Sequence, residues 1–299
     1  MELGAFLEGE RASVEAALER ALEKLLPLLP TSLHGPVEHG ISGGGKRLRP
    51  ILFATAYRAC DGPSGNSAAI YDLAVAIELI HGYSLMHDDL PCMDDAQLRR
   101  GSPTPHTLFG EPATVIGGAA LIPAAGLQVW RAGEALGLER ARREELIGVL
   151  AHAAGAAGMV GGQGLDLLGE GQALTREALD GLHRRKTGAL LTASLVLGGM
   201  AAGASAARRD ALRRYGEEVG LAFQIADDVL DATADAQRIG KNPSDDTLEK
   251  STYVRLLGVE GARGEAERRV LAAIDALAAG EIRSPELEAL ARYVVSRDR

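Results

Sequence analysis

Apolar residues recur at helical spacing along almost the whole of this chain. "VEAALERALEKLLPLLP", "AAIYDLAVAIELIHGYSLM", "RREELIGVLAHAAGAAGMV", "LDGLHRRKTGALLTASLVLGG" and "RRDALRRYGEEVGLAFQIADDVLDA" each carry them three and four positions apart. The tail "SPELEALARYVVSRD" opens on a Ser cap with Pro in the first turn. No run alternates as a strand does, and no Asn-Gly or Asp-Gly flanked by such runs signals a hairpin. Breakers sit at 61–66, 101–105, 168–172 and 239–246, none long enough for an interdomain linker. The pattern predicts a single all-α domain over residues 1–299, with roughly ten helices of ordinary length. No solenoid repeat period is visible.

Charge and composition narrow the function. Acids outnumber bases 41 to 32, a net charge of −9 that argues against nonspecific nucleic-acid binding. Two cysteines, Cys60 and Cys92, give no disulfide framework. The acidic N-terminus "MELGAFLEGERASVE" lacks an apolar signal core, so a cytoplasmic location is expected. Thr187 to Ala207 carries no charge and is long enough to span a bilayer. Its Gly, Ala, Ser and Thr make it too weakly hydrophobic, and we expect a buried helix and no transmembrane segment. Aromatics are only 4%, so packing rests on aliphatic side chains, with 37 glycines available for close helix approach.

Two acid clusters stand out against this background. In "LAFQIADDVLDA", Gln224, Asp227, Asp228 and Asp231 share one helix face. Their neighbours are apolar, and bare carboxylates there would repel one another and be costly to desolvate. A divalent cation removes both problems. Oxygen-only donors suit magnesium or manganese better than zinc. In "HDDLPCMDDAQLRRG", the acids are Asp88, Asp89, Asp94 and Asp95. His81, Ser84 and Asp88 share a helix face. Asp94 falls off it, and Leu90-Pro91 predicts a break that folds Asp94 back towards Asp88. Magnesium takes few protein carboxylates and prefers phosphate oxygens for the rest, so a polyphosphate ligand is implied.

Basic residues complete the pattern. "GGGKRLRP" places Lys46 and Arg49 three apart, on one side of an expected helix, with glycines before them for close backbone approach. The Walker pattern is absent. Arg99 and Arg100 suit bidentate phosphate binding. With Lys186, Lys241 and Lys250 they suggest two phosphate sites, one bridged by metal and one held by Lys and Arg alone.

Taken in order, "GGKRLRP", "HDDLPCMD", "LRRG", "GMVGGQGLDL", "HRRKTGALL", "FQIADDVLD" and "KSTY" resemble the trans-prenyl diphosphate synthases, most closely the bacterial farnesyl diphosphate synthases. The resemblance runs from about residue 10 to the C-terminus. It implies an all-α bundle around a deep central cavity, usually a homodimer, that condenses isopentenyl diphosphate with an allylic diphosphate. It further implies that Asp88, Asp94 and Asp227 are the principal ligands of three magnesium ions, with Asp89, Asp228 and Asp231 supporting them. Arg99, Lys186 and Lys241 would hold the allylic diphosphate. Gly45, Lys46, Arg49, His81 and Arg100 would hold isopentenyl diphosphate. Thr187 and Gln224 would stabilise a carbocation, and Lys250 would lie near the diphosphates. Tyr83, five residues before Asp88, would floor the product pocket and limit the product to farnesyl diphosphate. No side chain is a convincing general base, and the released diphosphate would take the proton.

Two stretches depart from that family's pattern. "VIGGAALIP" puts Gly118 where an Asp is usual, and "NPSDDTLEK" replaces a Gly-containing loop. Three other readings remain open at this point. A geranylgeranyl diphosphate synthase differs only in product length. A non-catalytic partner subunit would be expected to lose an acid cluster, and both are present. A terpene cyclase would leave Lys46, Arg49 and Arg100 without a role.

Overall fold

The helical pattern resolves, in a computed structural model that describes residues 2–64, 67–169, 171–239 and 252–296, into thirteen α-helices among those residues. They are α1 (Leu3–Leu25), α2 (His34–Ser42), α3 (Leu48–Ala59), α4 (Ser67–Asp88), α5 (Pro105–Phe109), α6 (Glu111–Ala135) and α7 (Arg140–Ala154). There follow α8 (Met159–Gly169), α9 (Arg176–His183), α10 (Ala189–Ala201), α11 (Ala206–Ile239), α12 (Tyr253–Ala279) and α13 (Pro285–Ser296).

Helix α4 is apolar on nearly every side, and such a helix belongs inside. Ile70, Leu73, Val75, Ile77, Leu79 and Ile80 are all buried. Helices α1, α3 and α6 pack on it. Arg20 of α1 donates from Nε to Asp72 at 2.9 Å, and the Tyr71 hydroxyl donates to Glu10 at 3.0 Å. Helix α10 lies between α3, α7 and α11, while α12 runs along α11. The uncharged stretch expected to be buried is so through α10, with Leu190, Leu191, Ser194, Leu195 and Leu197 inside, while Gly203 and Ser205 to Ala207 beyond it are exposed. The tail helix behaves as its sequence predicts. The Ser284 hydroxyl accepts from the Leu287 N–H at 3.2 Å, capping α13, and the buried Tyr215 hydroxyl donates to the Leu287 carbonyl at 2.7 Å.

Among the described residues three stretches, Ala68–Asp88, Glu111–Ala135 and Arg140–Gly169, are long and apolar enough to cross a membrane by length and composition alone. The first is the core helix, 72% buried inside the protein. On α6 an outward stripe of Val115, Ile116, Ile122 and Leu127 is 40 to 55% exposed.

Candidate active site

A cavity of about 380 Å³ opens between α4, α8 and the turn before α10. From α4 it receives His81, Tyr83, Ser84, His87 and Asp88, and from α3 Arg49. His81, Ser84 and Asp88 do share one face, as their spacing predicts. Residues 184–188 form a π turn between α9 and α10. Such a turn holds one residue more than an α turn and recurs at functional sites. It puts Lys186 and Thr187 on the cavity wall. The turn approaches α8 so closely that any Cβ on Gly162 would strike the Lys186 backbone. Lys186 pairs with Asp166 of α8.

The first acid cluster folds as the proline predicts. Helix α4 ends at Asp88, and the Asp94 N–H donates to the Asp88 carbonyl at 2.9 Å. Burial pushes the Asp88 carboxyl up to about 6, and the neighbouring Asp94 charge pushes the same way against Lys186. Asp89 is placed differently from its neighbour. It is 1% exposed, and both its oxygens accept from Arg99 Nε at 2.8 Å. Its direct role here is to hold Arg99.

A hairpin then separates the two arginines. Leu98–Arg99 pairs antiparallel with Ser102–Pro103. Arg100 (φ 54°) and Gly101 (φ 80°) supply the two left-handed turn positions that such a tight hairpin needs. No Asn-Gly or Asp-Gly is required, which is why the sequence did not signal it. Arg99 turns to Asp89, while Arg100 donates from Nη1 to the Gly44 carbonyl. A Cβ on Gly45 would lie 2.5 Å from that Nη1, so Gly45 is the residue that lets Arg100 in.

The Lys46–Arg49 expectation needs correction. Helix α3 starts only at Leu48, after Arg47 in a left-handed conformation (φ 48°), so Lys46 and Arg49 do not share a helical side. Lys46 lies over the Tyr293 ring at 5.9 Å and lines a neighbouring cleft with Phe223 and Leu48. Arg49 does reach the cavity, where its buried Nε has no hydrogen-bond partner. Burial lowers its pKa, assisted by Arg100. His81 is held well below its ordinary pKa, first by burial and then by Arg49, and is therefore neutral.

The second cluster lies on α11. Leu221, Ala222, Ile225, Ala226 and Val229 are buried on one side. On the other, Gln224, Asp227 and Asp228 are half-buried and Asp231 is exposed, so the acid face is a graded rim and not an interior surface. Asp228 accepts from the Tyr253 N–H at 2.7 Å and thereby holds the start of α12. Burial still raises its pKa to about 7, with Asp231 and Asp227 adding to the rise. Lys241 and Lys250 lie outside the described residues.

These donors fit a hard divalent cation. They offer oxygen only, and burial, with the neighbouring acids adding to it, already disfavours the charge of Asp88 and Asp228. Among the described residues no three acids, His or Cys converge as a preformed cage. Magnesium, which keeps several waters, does not need one.

Three residues at this site escaped the sequence reading. Gln163 is 8% exposed, lines the cavity, and has neither amide atom hydrogen-bonded within the protein. The signal was present in "GMVGGQGLDL", where a polar residue stands among glycines and apolar residues. Asp166 and Arg47 gave no local signal, because their partners lie far away in sequence. A larger cleft, about 930 Å³, lies between α7, α10 and α11. Of the residues expected from the sequence, Arg49, His81, Tyr83, Asp88, Lys186 and Thr187 line the smaller cavity, whereas Asp89, Arg99 and Arg100 line a separate small cleft and Lys46 another.

A helical cavity that brings together an aspartate, a lysine and a desolvated arginine whose Nε has no hydrogen-bond partner suits a phosphate-bearing ligand. The comparisons give that class its family. The polyprenyl synthetase pattern matches residues 30–284, and the chain belongs to this family. It is 41% identical to the farnesyl diphosphate synthase of Escherichia coli (strain K12), covering 96% of this chain and 98% of that one. It is 39% identical to a chloroplastic geranylgeranyl pyrophosphate synthase of Catharanthus roseus, covering 98% and 81%. The crystal structure of a geranyltransferase from Legionella pneumophila superposes with a TM-score of 0.83 at 31% identity, covering 99% and 97%.

Proposed function

We propose that this chain is a prenyl diphosphate synthase that joins isopentenyl diphosphate head-to-tail to dimethylallyl or geranyl diphosphate, with farnesyl diphosphate as the main product. The observation that carries the reading is the convergence of Asp88, Lys186, Thr187, Arg49, His81 and Gln163 on one cavity. Asp88, Asp94 and Asp227 would hold magnesium, three ions once the allylic diphosphate is bound. The bound ions supply positive charge to a departing diphosphate. Lys186 and Arg99 add cationic charge at the same end, and Lys241 is assigned there too. Such charge lowers the barrier most when it is fixed in advance, and the Asp89 grip on Arg99 fixes it.

Arg49, Arg100 and neutral His81, with Gly45 making room for Arg100, form the second diphosphate site. Lys46 is assigned there from the next cleft, and Lys250 near the diphosphates. Thr187 and Gln224 offer oxygen dipoles to the allylic cation left by ionisation, while Met159, Val160 and Leu167 exclude water. The isopentenyl double bond then attacks the cation. The proton lost goes to the released diphosphate, since His81 sits beside Arg49 and cannot readily take a positive charge.

The outward apolar stripe on α6 fits a second copy of this chain, a homodimer, and a cytoplasmic location suits the substrates. The test is product chromatography after incubating the protein with isopentenyl diphosphate and each allylic primer, with and without chelator. Farnesyl diphosphate formed only when magnesium is present supports the reading. Turnover that survives metal removal refutes the metal assignment, and geranylgeranyl diphosphate as main product refutes the chain-length assignment.

A further inference from the structure

Gly118, on the side of α6 that faces α4, has no room for a side chain. A Cβ there would lie 2.6 Å from Nε2 of His87 and 2.7 Å from its Cδ2. The ring is packed where that side chain would be. Its Nε2 lies 3.1 Å from the Val115 carbonyl, which can only accept, so Nε2 carries the proton and donates. The other side of His87 meets Tyr83 edge-on, with ring centroids 4.8 Å apart at 76°. Both rings line the cavity that holds Asp88 and Lys186.

We infer that Gly118 and His87 together set the depth of the prenyl pocket, as specificity-determining residues that act beside Tyr83. This inference rests on the prenyl transfer proposed above. The bare backbone at Gly118 lets His87 lie back against α6, which holds its ring at the cavity wall and braces Tyr83. Any side chain at position 118 displaces the ring. Tyr83 blocks one direction and α6 the other, and the cavity beside it is open space into which the ring can turn. A growing chain then meets an obstacle sooner. The neighbour Gly117 serves a different purpose. A Cβ there would meet Val37 at 3.3 Å and Met86, which are core side chains away from the cavity.

The experiment compares wild type, Gly118→Ala, His87→Ala and the double variant by the ratio of geranyl, farnesyl and geranylgeranyl diphosphate released. A ratio is independent of the amount of folded enzyme and of the overall rate. Gly118→Ala is expected to raise the geranyl share relative to farnesyl by about fivefold to a hundredfold, the range that overpacking by one displaced ring produces. His87→Ala is expected to shift the ratio the opposite way, towards geranylgeranyl diphosphate. The double variant should lose the geranyl excess, because no ring remains to be displaced. A Gly118→Ala ratio within twofold of wild type overturns the inference, as does a geranyl excess that persists without His87. Should Gly118→Ala fail to fold, His87→Ala decides alone, and an unchanged ratio there overturns it. Wild type forming no prenyl product would instead refute the reaction itself.

Discussion

Replacing Arg47 with Met tests how the loop before α3 is held. Arg47 is 5% exposed. Its Nε donates to Glu15 at 2.8 Å, its Nη1 to Glu78 at 2.9 Å, and its Nη2 to the Ile41 carbonyl at 2.9 Å. Met keeps most of the stem and deletes all three contacts. The main cost is Glu78, 4% exposed in the core helix, which loses its compensating charge. Breaking a buried pair in this way costs about 3–5 kcal/mol. Arg49 and Arg100 still act on Glu78 and on each other nearby, which favours the lower end. Glu15 is about a third exposed and adds roughly 1 kcal/mol or less. A loss of about 3 kcal/mol corresponds to a fall of about 5 °C in thermal midpoint for a chain of 299 residues. Circular dichroism melts of wild type, Arg47→Met, Glu78→Gln and the double variant measure it. The double variant should lose less than the sum of the singles, with a coupling of about 0.5–3 kcal/mol. A midpoint within two degrees of wild type, or strict additivity, refutes the reasoning. Because Arg47 lies between Gly45 and Arg49, KM for isopentenyl diphosphate should rise in the same variant.

Asp88→Ala and Asp227→Ala should each lower kcat at least about a thousandfold, as for losing a principal electrostatic stabiliser, while leaving the circular dichroism spectrum intact. Near-normal rates in either would refute the metal assignment. Arg100→Ala should raise KM for isopentenyl diphosphate more than for geranyl diphosphate, and equal effects would contradict the two-site division. Ile122→Asp, on the outward stripe of α6, should convert a dimer to monomer in light scattering, and an unchanged mass would place the interface elsewhere. Without divalent cation, the Asp88 and Asp228 shifts make the thermal midpoint rise as pH falls from 7 towards 4 in a citrate-free buffer, and a flat profile would refute those shifts.

The parts of this protein that obey a local rule were legible in the sequence. Period 3.6 gave the helices, Ser284-Pro285 gave the start of α13, and Pro91 gave the fold-back of Asp94. Parts that hang on one backbone angle were not. Lys46 and Arg49 are three apart, yet the left-handed Arg47 breaks the geometry that spacing assumes. The π turn at 184–188 adds a residue without disturbing the apolar pattern, so no periodicity reveals it. Long-range pairs are invisible for another reason. Nothing near Arg47 announces Glu78, and nothing near Lys186 announces Asp166. Asp89 shows the consequence most clearly: adjacent to Asp88 in sequence, its carboxylate is taken by Arg99, ten residues on.

The shifted groups at this site share one cause. Burial raises the carboxyls of Asp88 and Asp228 and lowers the pKa of His81 and Arg49, so these positions disfavour their own charge of either sign. For an aspartate raised in the folded state, that state binds more protons than the unfolded chain between the two pKa values. Stability therefore rises as pH falls through the folded value and levels off near the unfolded one. A cation at the carboxylates reverses the preference by favouring their charged form. A diphosphate at Arg49 does the same for the guanidinium. The penalty that these groups carry by themselves and the affinity for a ligand that neutralises them are thus the same electrostatics seen from two sides. A ligand that carries both a divalent cation and phosphate oxygens relieves both ends together, which neither ion can do alone.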